Sequence, residues 1–204
     1  SMGRGGSPAV PGTYKVSIDM VAKGEVSRLV EPVEFKTESM NLASLPADDF
    51  NEVAAFHAKL SKLNRTFMGM GRMLEAQLTK VVTMKQAALQ TPGADLELQA
   101  RITKVEEELH AIGLAIDGPS ARASWEELPP MDMPLSRRIR VAVYSTWGHS
   151  SAVNGTAKTQ YEIIMEELPP LVDRLNALDD EIMAIDKALE EAGSGWVPGR
   201  KIKM

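Results

Sequence analysis

Tyr161, Ile164, Leu168, Leu171, Leu175, Leu178, Ile182, Ile185 and Leu189 recur along the chain at alternating steps of 3 and 4. A strand cannot gather that spacing on one face, because its side chains alternate with period two. A helix can, and four heptads make a coiled-coil-like seam that must be buried against other rods. The rest of the chain has to supply them. Pro169 and Pro170 lie inside the seam, and because each lacks an amide donor a kink is expected there. Gly193 is placed to cap the helix, and Trp196-Val197-Pro198-Gly199-Arg200 reads as an extended tail.

The partner rods follow the same rule. Val53, Phe56, Leu60, Leu63, Phe67, Met70, Leu74, Leu78 and Val81 form one stripe. This helix opens after Leu45-Pro46, where Asp48 and Asp49 suit the positive end of the dipole. It stops near Gln90, at Thr91-Pro92-Gly93. Gly69 and Gly71 interrupt it at about 1 kcal/mol each relative to Ala, and close approach of a neighbouring helix is the expected reason. A second helix starts near Ala94-Asp95, carries Leu98, Ile102, Val105, Leu109, Ile112 and Ile116, and ends at Asp117-Gly118-Pro119. Gly caps it and Pro bars continuation, so the two helices form an antiparallel hairpin with a short connection. A Pro-rich stretch leads to a short helix over Leu135 to Tyr144, with Leu135, Ile139 and Val143 inward. The polar segment Ser145 to Gly155 then precedes the seam.

The front of the chain has the other periodicity. After the turn chemistry of Pro11-Gly12, Tyr14, Val16, Ile18 and Met20 alternate with Lys15, Ser17 and Asp19. That is the pattern of a half-buried strand. Lys23-Gly24 marks a turn, and a second strand runs through Val33 and Phe35. Two strands alone are marginal in water. The hairpin is therefore expected to lean on the helices, on a second copy, or on a sheet upstream. The resulting fold class is mainly α: an antiparallel bundle of three long helices and one short helix, preceded by a small β-hairpin.

Composition narrows the function. Aromatic residues make up 5% and methionine occurs 12 times, which favours helices over an all-β core. A net charge of -5 argues against a nucleic-acid binder, and Arg137, Arg138 and Arg140 are too few to reverse it. With no cysteine, disulfides, thiolate metal sites and a cysteine nucleophile are excluded. No run approaches the roughly 20 apolar residues of a membrane span, and no signal peptide is visible. Ser1-Met2 reads as a scar of tag removal, which makes an excerpt of something longer the expectation.

Reactive constellations are weak. Carboxylates cluster at Glu106 to Glu108, Glu126-Glu127, Glu166-Glu167 and Glu190-Glu191. Consecutive helical residues diverge by about 100°, however, whereas glycoside cleavage needs two carboxyls facing one cleft. His57, His110 and His149 are scattered, with none of the convergence a metal site needs; His57 reads as a satisfied edge residue. Ser150 beside His149 lacks a nucleophile elbow, and Gly3 to Gly6 lacks the helix and lysine of a phosphate loop. No catalytic, cofactor-binding or metal-binding residue is assigned. The segment holding Trp147, His149 and Ser150 is the candidate exposed interaction loop. A tryptophan so placed more often plugs the end of a bundle, and Trp125 and Trp196 read the same way.

The order Gly5-Gly6, Pro11-Gly12-Thr13-Tyr14-Lys15-Val16, Gly24, Pro32, Phe35-Lys36 and Leu45-Pro46-Ala47-Asp48 resembles the C-terminal region of bacterial sortilin-like, BNR-repeat proteins. Thr159-Gln160-Tyr161, Glu166-Glu167-Leu168-Pro169-Pro170-Leu171 and Trp196 to Arg200 extend the resemblance over essentially the whole chain. Gly6-Ser7-Pro8 stands where relatives read Gly-Gly-Pro. These proteins are described as glycosyl hydrolases, with β-propellers followed by an immunoglobulin- or fibronectin-like module and a helical bundle. The resemblance implies that residues 3–37 are the last strands of the sandwich module and 45–204 the terminal bundle. It also implies a periplasmic or extracellular setting, and that any glycan or peptide site lies in the propeller. The expected role is a non-catalytic accessory bundle. Its expected partners are the parent chain's upstream modules, with a homodimer through the β-segment as a further expectation. The alternative is a fragment of a secreted glycoside hydrolase, lending a loop such as Trp147 to Ser150 to a site the propeller completes.

Overall fold

The computed structural model describes residues 9–40, 42, 44–119, 131–146 and 151–202. In chain order its elements are β1 (Gly12–Ala22), β2 (Glu25–Thr37), α1 (Phe50–Leu89), α2 (Leu96–Asp117), α3 (Leu135–Tyr144) and α4 (Gly155–Glu191). The fold is mainly α: three long helices and one short, after an antiparallel hairpin.

Polar residues at the expected places start the long helices. Asp49 accepts from the Asn51 amide at 2.7 Å, Asp95 from Leu98 at 2.8 Å and Asn154 from Ala157 at 2.8 Å. Each satisfies one of the donors that a helix start leaves unpaired. At the end of α4, Gly193 sits at φ 84 and donates to the Glu190 carbonyl, while Ser194 donates to that of Leu189. The two bonds form a Schellman motif, and its left-handed position is why glycine is there. α4 continues through Pro169 and Pro170, and Leu168 and Leu175 are both buried. The seam thus keeps its facing across the two missing donors.

Cross-links set the helix directions. Lys158 of α4 pairs with Glu52 of α1, Gln77 donates to Asp179, and Lys80 pairs with Asp186. Partner numbers rise together, so α1 and α4 are parallel. Lys85 pairs with Glu106, and α4 meets α2 through Arg101–Glu181 and Glu108–Arg174. There the numbers run oppositely, so α2 is antiparallel to both. Higher on α4, Gln160 accepts from Arg138 of α3 at 3.1 Å. α2 and α3 thus divide between them the length of α4, roughly 55 Å at 1.5 Å per residue. The core lies between these rods and includes Leu60, Met84, Leu109, Ile112, Ile139, Ile164 and Ile185.

The glycines reverse one expectation. A side chain at Gly69 or Gly71 would meet nothing within 4 Å, so no helix approaches there. The close approach is at Gly93 in the α1–α2 turn, where a Cβ would lie 2.8 Å from the Ala192 carbonyl oxygen.

The hairpin turns at Lys23 (φ 53) and Gly24 (φ 86), a two-residue turn whose positive φ angles match strand twist. β2 has 13 residues to the 11 of β1. The extra two enter at register shifts around Ile18, which pairs with Val30, while Val16 pairs with Val33 and Tyr14 with Phe35. Across these bulges the apolar residues Tyr14, Val16 and Ile18 stay opposite Phe35, Val33 and Val30 and share one face. That face is not half-buried as the alternation predicts: Ile18 is 54% exposed and Val33 58%. Among the described residues, contacts between secondary-structure elements join β1 to β2 and helix to helix, but neither strand to any helix. Of the three supports expected for the hairpin, the bundle is not one.

Candidate functional site

Trp147, His149 and Ser150 fall outside the described residues, as does Trp125. Their flanks are held in place. Thr146 is buried and donates to the Ala142 carbonyl at 3.2 Å, Asn154 donates to the Ser145 carbonyl at 2.8 Å, and the Ala152 amide to Leu45 at 3.2 Å. These flanking bonds tie Asn154 to the end of α3 and Ala152 to the approach to α1.

The C-terminal residues are not an extended tail. They fold back on the lower end of the bundle. Val197 is fully buried and its carbonyl accepts from the Arg200 amide at 3.1 Å, closing a turn. Arg200 Nε donates to Asp186 Oδ1 at 2.6 Å and its Nη2 to the Asp186 carbonyl at 2.7 Å. Its Nη1 reaches Ser194 Oγ at 2.9 Å and the Gly195 carbonyl at 3.0 Å. Lys80 Nζ of α1 holds the other Asp186 oxygen at 2.9 Å. With both Asp186 and Arg200 mostly withdrawn from water, these charge-assisted bonds fasten tail, α4 and α1 together. Trp196 does not plug the bundle; it is 55% exposed, its indole N–H donating to the Arg200 carbonyl at 2.9 Å. The smaller Val197 fills that place.

Several other polar groups are tied into the frame. His57 is buried rather than at an edge, and His110 is exposed. Glu106 and Glu108 are engaged by Lys85 and Arg174. Gln77 is buried beneath α4, donating to Asp179 Oδ1 at 3.0 Å and to the Leu175 carbonyl at 3.4 Å. Among the described residues, no three His, Asp or Glu side chains gather as metal ligands, and no helix is long and apolar enough to cross a membrane.

One concavity was not foreseen. Between the upper halves of α1 and α4 lies a hollow of about 400 Å³, floored by Leu63, Leu168 and Val172 and edged by Lys59, Lys62 and Asp173. Tyr161 closes its upper end, its ring edge-on to Phe56 at 5.7 Å between centroids. A more polar hollow of about 330 Å³ continues from it past Lys59 towards Glu52 and Lys158. Lys59 and Lys62 flank the stripe residues Leu60 and Leu63, and in sequence they look like ordinary solvated positions. What the groove offers is apolar surface beside ammonium groups, which is a binding chemistry. Comparison with protein-family models, with curated proteins and with solved structures gave no match.

Proposed function

We propose that the chain is a non-catalytic C-terminal accessory bundle of a larger sortilin-like, BNR-repeat propeller protein, acting in the periplasm or outside the cell. In this reading residues 45–204 are the packing domain. Residues 3–37 contribute the last strands of the sandwich module before it. The observation that carries the reading is the contrast in closure. The bundle buries its stripes, while the hairpin turns Val16, Ile18, Val33 and Phe35 to solvent. A sheet face of that composition is built to be covered.

Size favours an upstream sheet over a second copy of the hairpin. Two strands of 11 to 13 residues, at about 3.3 Å per residue and 4.8 Å apart, present roughly 350 to 400 Å² of face. Two such faces together bury less than the roughly 1,200 Å² of a stable interface. A sandwich module offers a wider sheet, and its edge strand can pair with the hairpin as well.

Amide exchange tests this. The hairpin amides are compared in the present chain and in one extended upstream through the preceding module. Protection gained across β1 and β2 on extension is expected; unchanged, fast exchange refutes the docking. Turnover of a glycan or peptide by the present chain would refute the non-catalytic role.

A further inference from the structure

We propose that the upper α1–α4 groove binds a single-chain anionic amphiphile of the fatty-acid class. Its carboxylate sits at Lys59 and Lys62, and its alkyl chain lies along Leu63, Leu168 and Val172. The proposal does not depend on the accessory role or on the parent chain.

Size comes first. About 400 Å³ lies in the range of small-molecule sites. The hollow therefore suits a small ligand. Its floor is apolar and firm: Leu63 and Leu168 are buried members of the core. Met165 forms a wall and is 46% exposed, so a chain laid beside it removes further apolar surface from water.

Charge decides the class. The protein carries a net charge of -5, yet the two lysines here stand one helical turn apart at the mouth of an apolar hollow. Neither makes an ion pair among the described residues, whereas Lys80, Lys85 and Lys158 on the same two helices are each matched to a carboxylate. A carboxylate between Lys59 and Lys62 supplies the missing counter-charge beside the apolar floor. The Tyr161 hydroxyl has no hydrogen-bond partner among the described residues and adds a donor at that end. Asp173 lines the hollow from α4 and repels an anion, which directs the ligand's head to the lysines.

The test uses the intact chain with dodecanoate and its neutral counterpart dodecanol, below their aggregation limits, by titration calorimetry. Saturable one-to-one binding of dodecanoate is expected, with methyl chemical-shift changes centred on Leu63, Leu168 and Val172. The double substitution Lys59→Gln/Lys62→Gln should weaken dodecanoate at least tenfold and leave dodecanol unchanged. Met165→Glu should weaken both. All three positions are exposed, and unchanged circular dichroism melting separates loss of binding from loss of fold. The absence of saturable dodecanoate binding, shift changes elsewhere on the bundle, or indifference to the double substitution overturns the proposal. So does binding to phosphatidylglycerol vesicles without binding of free dodecanoate, because the surface would then be a membrane contact.

Discussion

The hairpin and the bundle are drawn from similar apolar material and end in opposite states. Ile18, Val33 and Phe35 of the hairpin are about half exposed, while Ile112, Ile182 and Leu189 of the bundle are almost wholly buried. Both regions have regular hydrogen bonding and a well-formed turn. They differ in whether a complementary surface lies within reach. A helix stripe meets its partner after a short connection, through packing that repeats along each rod. Two strands have a face and two edges but no second layer. Local regularity therefore does not imply a closed core.

That contrast can be broken at several points. The largest effect is expected from Leu109→Ala, which empties a fully buried site between helices and should cost about 3 kcal/mol in denaturant unfolding. A loss below about 1 kcal/mol would mean that the bundle is not the stability centre. Arg200→Ala comes next. It leaves the Asp186 carboxylate with Lys80 alone and should cost about 2 kcal/mol. Arg200→Lys should not restore it, because an ammonium cannot reproduce the fork of bonds to side chain and backbone. If the C-terminal residues are a loose tail, neither change alters the melting temperature.

The glycines sharpen the comparison further. Gly69→Ala, in an open helical position, should stabilise by about 0.5 to 1 kcal/mol. Gly93→Ala should destabilise, because its Cβ would fall 2.8 Å from the Ala192 carbonyl oxygen. Opposite signs in the same thermal melts are the check. The smallest effect is expected at the hairpin. Ile18→Ala should change the unfolding free energy by less than about 0.5 kcal/mol, since its side chain covers nothing in the bundle. A cost near that of Leu109→Ala would show that the hairpin packs on the helices in solution.

Most of the frame was legible in the residues. The stripe over Tyr161 to Leu189 needs only helical geometry to be read, and the caps at Asp49, Asp95 and Gly193 need only local bonding rules. The groove was much less so. Lys59 and Lys62 acquire meaning from Tyr161 and Val172, roughly a hundred positions away in the chain, and no local pattern encodes that adjacency. Arg200 was misread for a related cause: a Pro-Gly sequence suggests departure from the helix, and only the placement of Asp186 and Lys80 brings the chain back. Val197, read as part of the tail, fills the bundle end in place of Trp196.

The sequence alone determined the number, type and limits of the rods, since periodicity, capping and turn chemistry act over a few neighbouring residues. It determined too that the strands pair about Lys23-Gly24. Tertiary structure decided that α1 and α4 run parallel, that α2 and α3 share the length of α4, and that Asp186 receives both Lys80 and Arg200. It also left an apolar face of the hairpin uncovered and set Lys59 and Lys62 beside an apolar hollow. These depend on which surfaces meet in space, and contacts between distant residues follow from the packing of whole elements rather than from any short stretch of chain.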